Sequence, residues 1–190
     1  PCIMTVREIW KDIEHFLEKN SEYLYSSLED GASEPDILEF EKQLGFRLPE
    51  DYRESVLIHN GDVSLTDYAY LKINSAARVW KSRTESFEKN KNKYPVDKLY
   101  IMDCDIDIIQ NVPWSRNWIP VLEDGGGNCI CIDMEPGQKG KMGQILFWER
   151  ETGPEASRFG SFAEWLSAYR DDLYNGKYKV DRDGFLNRID

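Results

Sequence analysis

The sequence predicts an α+β fold: a single compact domain with an antiparallel multi-stranded sheet, flanked by N-terminal helices and a C-terminal helix. Three observations carry this expectation. Apolar residues recur at helical spacing in the first segments, alternating apolar runs separated by turn-rich pieces fill the second half, and a last amphipathic stretch follows them. Helices grouped ahead of short-turn strands favour an antiparallel sheet over alternating βαβ units. The 190 residues are 41% hydrophobic and 13% aromatic, with six Trp, which suits one well-packed core.

The elements follow in order. MTVREIWKDIEHFLEKN (4–20) places Val6, Ile9, Trp10, Ile13, Phe16 and Leu17 on one stripe, the spacing of an amphipathic helix. The acidic stretch from Ser21 to Ser33 reads as a link to a second helix. Ser33 caps that helix, Pro35 sits in its first turn, Ile37, Phe40 and Leu44 form its buried face, and Gly45 stops it. A third helix opens at Pro49, turns Tyr52 and Val56 inward and ends at Asn60-Gly61, residues that tolerate left-handed backbone. Alternation from Leu65 to Ile73 suggests a strand, after which Asn74 or Ser75 caps a fourth helix reaching Asn90. KLYIMDCDIDII, NWIPVLED, NCICIDM and GQILFWE read as strands. Ser161 and Glu164 form a capping box for a final helix with the stripe Phe162, Trp165, Leu166, Tyr169 and Leu173, ending at Asn175-Gly176. The domain is therefore expected to span 1–176, with 177–190 as a C-terminal extension.

Charge narrows the function. A net charge of −11 disfavours nucleic acid, whose binding rests on Lys and Arg neutralising phosphates, and it disfavours anionic membrane surfaces. It favours a basic protein partner, since a negative surface raises the encounter rate with positive ones. The one positive segment, 78–93, has six basic and two acidic residues and reads as a solvated helix face. No stretch approaches the roughly 18 uninterrupted apolar residues of a membrane helix. Lys11, Asp12, Glu14 and Glu18 interrupt any secretory core near the N-terminus, so a cytoplasmic protein is expected. Cys2, Cys104, Cys129 and Cys131 form no disulfide framework and no C-x-x-C pair. Cys129 and Cys131 would share one strand face, but two His and no second pair leave a zinc site short of ligands. Reduced buried thiols, with no metal and no cofactor, are the expectation.

EDGGGNCICIDM (123–134) poses the sharpest question, because glycine-rich loops can cradle phosphates. Here Glu123 and Asp124 precede the glycines, no Lys trails them, and the next residues alternate as a strand. Neither the P-loop nor the dinucleotide fingerprint is met. The run reads as a hairpin turn that exploits glycine's tolerance of positive φ.

Read as a turn, the stretch joins a longer pattern. Glu41, Leu44-Gly45, Leu48-Pro49, Tyr52 and Asn60-Gly61 precede Trp118-Ile119-Pro120, Asp124, Gly127-Asn128, Asp133, Pro136 and Gly143-Gln144-Ile145, with Phe162, Trp165 and Leu166 closing. In order and spacing these resemble the SUKH superfamily, the fungal Smi/Knr cell-wall-synthesis regulators and their bacterial relatives. The extended first helix, the basic helix around Lys81 to Lys93 and the tail after Gly176 depart from the pattern. The resemblance implies a compact α+β binding module without enzymatic activity. Its bacterial members imply an immunity protein that neutralises a basic toxin domain, such as a nuclease, by direct binding. Its fungal members imply, as the alternative, a regulatory scaffold in cell-wall synthesis or signalling.

DCDID places Asp103, Asp105 and Asp107 on one strand face, opposite Cys104, Ile106 and Ile108. Calcium by an EF-hand would need glycine at the sixth position and glutamate at the twelfth, where Ile108 and Trp114 stand. His59, near a helix C-terminus, reads as a core or capping residue, His15 as solvated, and Glu41 as an acceptor for backbone N–H groups near Leu48-Pro49. No nucleophile motif points to catalysis. The expected partner-binding set is Asp62, Asp67, Asp103, Asp105, Asp107, Glu123 and Asp124, with Tyr68, Tyr70 and Trp114 as anchors. Charge would steer the encounter and buried aromatics would hold it.

Overall fold

The computed structural model describes residues 4–189; Cys2 lies outside them. The chain opens with α1 (Val6–Asn20), whose Thr5 hydroxyl accepts the Glu8 N–H at 3.2 Å while the Glu8 carboxylate accepts the Thr5 N–H at 2.7 Å. That capping box fixes where the helix begins. The acidic stretch after it is not a plain link. Ser21 ends α1 through its N–H to Leu17 O and starts a short α2 (Glu22–Ser27) by accepting the Leu24 N–H. Next, α3 (Glu34–Leu44) has the expected Ser33 cap and a left-handed Gly45 at its end. Then α4 (Glu50–Ile58) has Pro49 at its cap, one position before the expected first turn, and buries Tyr52 and Val56.

The expected strand over Leu65 to Ile73 is replaced by a small hairpin, β1 (Val63–Ser64) and β2 (Ala69–Tyr70). Chain folding explains the difference. The Ile73 N–H donates to Asn60 Oδ1 at 3.0 Å, so a side chain from the preceding loop starts α5 (Ile73–Asn90) earlier than Asn74 or Ser75 could. Gly61 allows this close approach. It sits at φ +79°, and a Cβ there would lie 2.5 Å from the Leu71 carbonyl.

The second half forms a meander of β3 (Trp118–Glu123), β4 (Cys129–Asp133), β5 (Gln144–Glu149) and β6 (Gly153–Ala156). With the first hairpin it makes one antiparallel sheet in the order β1-β2-β3-β4-β5-β6. The sequence gives no apolar alternation for β6, and its Pro154 suits the edge place that it takes. Then α6 (Phe162–Tyr174) is capped by Ser161, although Glu164 bonds the Gly160 N–H and not that of Ser161. After Gly176 the chain forms a second hairpin, β7 (Tyr178–Val180) and β8 (Leu186–Arg188). It docks through buried Tyr178 against Tyr169 and through the Ser21 hydroxyl, which donates to Gly184 O at 2.6 Å.

One expected strand is absent. Residues 101–108 form a loop with a 3₁₀ turn at Asp103–Asp105, and Asp107 adopts φ +70°, which an extended strand does not allow. The three aspartates therefore share no face. Asp105 is 5% exposed, and its carboxylate accepts the Ala156 N–H of β6 at 3.0 Å, while Asp103 and Asp107 are exposed. A carboxylate turned inward to cap a strand edge ends the alternating row.

Alternation along the strands gives the sheet two faces. Cys129, Cys131 and Trp148 lie toward α5; Ile130 and Phe147 lie toward α6. Two polar contacts lock the helices onto this frame. Trp10 Nε1 donates to Ser55 Oγ at 2.8 Å, and Ser55 Oγ lies 3.0 Å from Tyr70 Oη, all three residues being fully buried. Glu41, also buried, accepts the Leu48 N–H at 2.9 Å and so ties α3 to the start of α4.

Removing the Ser55 hydroxyl strands two buried polar groups. Ser55→Ala is expected to lower unfolding free energy by about 1–3 kcal/mol in urea titrations. Glu41→Ala, which orphans the Leu48 N–H, should lower Tm and cost about 1–2 kcal/mol without changing the elution volume on size exclusion. An unchanged Tm would remove Glu41 from this role.

Candidate functional site

Strand register brings three turns to one end of the sheet. Ala69 pairs with Glu123, Glu123 with Cys129, Cys129 with Trp148, and Glu149 with Gly153. The β1–β2, β3–β4 and β5–β6 turns therefore lie side by side. The glycine run is the middle one. Asp124 Oδ1 accepts the N–H groups of Gly126 (2.8 Å) and Asn128 (2.9 Å), and its Oδ2 accepts Asn128 Nδ2 at 2.7 Å. Gly125 and Gly127 take φ of +74° and +100°, which a chain reversal in so few residues requires. Burial raises the Asp124 pKa, but the bonds from Asn128, Gly126 and Gly127 outweigh it and hold the carboxyl below its ordinary range. Asn128 Oδ1 then accepts the Arg150 N–H at 2.9 Å, fastening the middle turn to the third.

The first turn contributes Asp67, exposed, and Tyr68, half-buried. Tyr68 has its phenol pushed up by burial and then by the Asp124 and Glu149 carboxylates. Four of the expected residues thus converge here: Asp67, Tyr68, Glu123 and Asp124. Glu149 joins them, unanticipated because it falls at the end of an expected strand.

The others go elsewhere. Asp62 lies at the far end of the first hairpin, at φ +62°, 3.2 Å from Lys72 Nζ. Asp107 pairs with Lys139 at 3.1 Å on the loop of residues 101–108, which also holds Asp103 and Asp105. Asp105 faces inward, as described. Tyr70 and Trp114 are buried, so neither presents the exposed ring that a surface anchor needs: Tyr70 joins the Ser55 contact and Trp114 Nε1 donates to Thr84 at 3.2 Å.

On the α5 side of the sheet, Arg83 reaches the same end. Its Nη2 donates to Gly127 O at 2.6 Å and lies 3.5 Å from Glu123, and its guanidinium stands 4.2 Å above Trp148 and 5.7 Å from Trp114. The sequence contained only the weak signal of a basic segment, since Arg83 and Gly127 lie 44 residues apart. A cleft of about 650 Å³ opens between α5 and the Trp114–Trp148 wall. A second, of about 510 Å³, lies on the opposite face between Phe147, Phe159 and α6.

Other polar groups serve the frame. His59 caps α4, with Nδ1 2.7 Å from Glu29 O and Nε2 2.7 Å from Glu14, and meets Trp10 edge to face. Cys129 and Cys131 are free and buried, while Cys104 is free and exposed. Burial pushes the Cys131 thiol up, and the contact with Cys131 draws the Cys129 thiol down. Among the described residues, no three His, Cys, Asp or Glu side chains gather as a metal-ligand set.

Comparison with known proteins joins this geometry to a family. Residues 31–168, more than half of the chain, match the SMI1 / KNR4 family (SUKH-1). The chain is 30% identical over 193 residues to the cell wall biosynthesis/cell cycle regulator smi1 of Schizosaccharomyces pombe, covering 94% of this chain and 38% of that protein. It is 26% identical over 218 residues to a glucan synthesis regulatory protein of Neurospora crassa, covering 96% and 41%. With the cell wall assembly regulator SMI1 of Saccharomyces cerevisiae the identity is 22% over 208 residues, covering 90% and 41%. The chain spans about two fifths of the length of these relatives. The matched span holds the α3–α4 junction at Glu41, the Asp124 turn and the start of α6, the same features that carried the resemblance. The chain belongs to the SMI1/KNR4 family (SUKH-1).

Proposed function

We propose that this chain is the protein-binding module of a cell-wall-synthesis regulator, acting as a scaffold without chemistry of its own. One observation carries the reading: proteins named as cell-wall and glucan-synthesis regulators align along nearly all of it, while it spans only about two fifths of them. That is the relation of a module to a longer regulator. The toxin-neutralising reading, which the sequence placed first, draws no support from these relatives; they favour its alternative, the regulatory scaffold.

The turn-bearing end of the sheet is the binding surface in this proposal. Asp67, Glu123, Asp124 and Glu149 gather there on turns that hydrogen bonds hold rigid, so little ordering cost is left for association. A basic protein segment is the complementary partner, and the carboxylates would steer its approach. The free thiols Cys129 and Cys131 suit a reducing compartment, in line with a cytoplasmic place of action. No helix among the described residues is long and apolar enough to cross a membrane.

Grafting the chain in place of the matching region of the fission-yeast relative tests the reading. The hybrid is expected to restore resistance to wall-digesting glucanase in cells lacking the native protein. A hybrid that accumulates normally yet gives no rescue would refute the proposal. Within that hybrid, Asp67→Lys with Glu149→Lys should abolish rescue at unchanged protein level. Full rescue by the reversed variant would exclude the turn-bearing end as the surface.

A further inference from the structure

The cleft between α5 and the Trp114–Trp148 wall opens on the α5 side of the sheet, where Arg78 and Arg83 line it against one carboxylate, Glu123. We infer that it is a docking site for a linear peptide segment of a partner protein, one bearing a carboxylate side chain beside an apolar one. The inference rests on the module reading above and names a second surface with its own partner chemistry.

Three observations support it. The first is an Arg83 guanidinium with spare capacity. It offers five N–H donors, yet among the described residues it meets one firm acceptor, Gly127 O, and one marginal acceptor, Glu123 at 3.5 Å. Its Nε is buried with no acceptor among the described residues. A carboxylate entering the cleft is the group that best uses the guanidinium's unfilled donors, through charge-assisted bonds. Trp148, its ring centroid 4.2 Å from Arg83 Cζ, packs against the guanidinium and restrains it at the cleft.

Local charge is the second. In a chain of net −11, Arg78, Lys81, Arg83, Lys89, Lys91 and Lys93 outnumber Glu85 and Glu88 along this one segment. Arg78 lines the cleft beside Arg83, and the Ser82 and Ser86 hydroxyls lie between it and the far end. An acidic segment is therefore drawn here and repelled by the rest of the surface.

The third is an apolar end to the same cleft. Phe87 and Tyr94 pair at 5.5 Å, and both line it. Tyr94 remains 38% exposed and leads to Val96, which is 99% exposed. A volume near 650 Å³ falls in the usual range for specific sites, about 300–1,000 Å³, and accommodates a few side chains and not a whole domain face.

Random linear peptides displayed on phage, selected on the immobilised chain, supply the probe. Binding of a selected synthetic peptide is then followed by fluorescence anisotropy. Selection should enrich Asp or Glu next to Leu or an aromatic residue, and affinity should fall steeply with added salt. Arg78→Glu should weaken binding about tenfold or more, and Ser82→Trp, which obstructs the cleft, should abolish it. Both positions are exposed on α5, and an unchanged Tm confirms that the variants fold. Failure to enrich any peptide, enrichment of basic or uncharged peptides, or equal binding by both variants would overturn the inference. The yeast hybrid separates the two readings. Rescue by a Ser82→Trp hybrid sinks the cleft and spares the scaffold, whereas no rescue by the unaltered hybrid sinks the scaffold, whatever peptides bind.

Discussion

A single hydroxyl, that of Ser55, joins three elements that the chain delivers from three separate places. Trp10 arrives on α1, Ser55 on α4 and Tyr70 on β2, and none of the three is exposed to solvent. An indole N–H and a phenol cannot be buried cheaply unless each finds a partner, so only one relative placement of these elements satisfies both. Aromatic packing extends the constraint: Tyr70 stacks on Phe162 at 6.2 Å and Tyr52 meets Phe162 at 5.3 Å, which sets α6 on the same frame. The cost is visible beside it. The Tyr52 and Tyr169 hydroxyls are buried without partners among the described residues, and burial pushes both phenols well up. Ring packing holds the core together despite them.

From that core outward, what the sequence showed was what neighbouring residues decide. Ser33, Gly45 and Ser161 mark helix ends because capping acts over three or four residues, and the stripes of α1 and α6 follow from a fixed helical period. Glu41 was legible for the same reason, reaching only to Leu48. Where distant residues decide, local pattern misleads. The alternation of IMDCDIDI outlines a strand, but Asp105 is drawn to a β6 amide 51 residues away. The start of α5 shifts because Asn60, 13 residues earlier, supplies the cap. The site divides along the same line. Glycines and the Asp124 carboxylate announce a turn; nothing in the string shows that Tyr68 stands beside that turn, or that Arg83 reaches its carbonyl.

Glu123 sits at the seam of two unlike environments. Toward α5 it meets Arg83 at 3.5 Å, above the two tryptophans; one residue past the end of β3, Asp124 lies beside the first turn and its tyrosine. The turn makes this possible, since Glu123 keeps the strand's α5-facing direction while bonds to Gly126 and Asn128 hold the Asp124 carboxylate within the turn. Fields of opposite sign thus stand one residue apart, kept separate by the sheet itself.

The two edges of that sheet bear on how such a chain survives its own synthesis. At one edge β1 is two residues long; at the other, β6 contains Pro154 and has its Ala156 amide occupied by Asp105. Both ends of the ladder are thereby closed to a further strand, and open ladders are what nascent chains zip together on when they crowd on a ribosome cluster. The buried aspartate that removed an acidic row from the surface therefore also occupies an edge amide that a further strand would need. Replacing it would bare that amide and open the edge to a neighbouring chain.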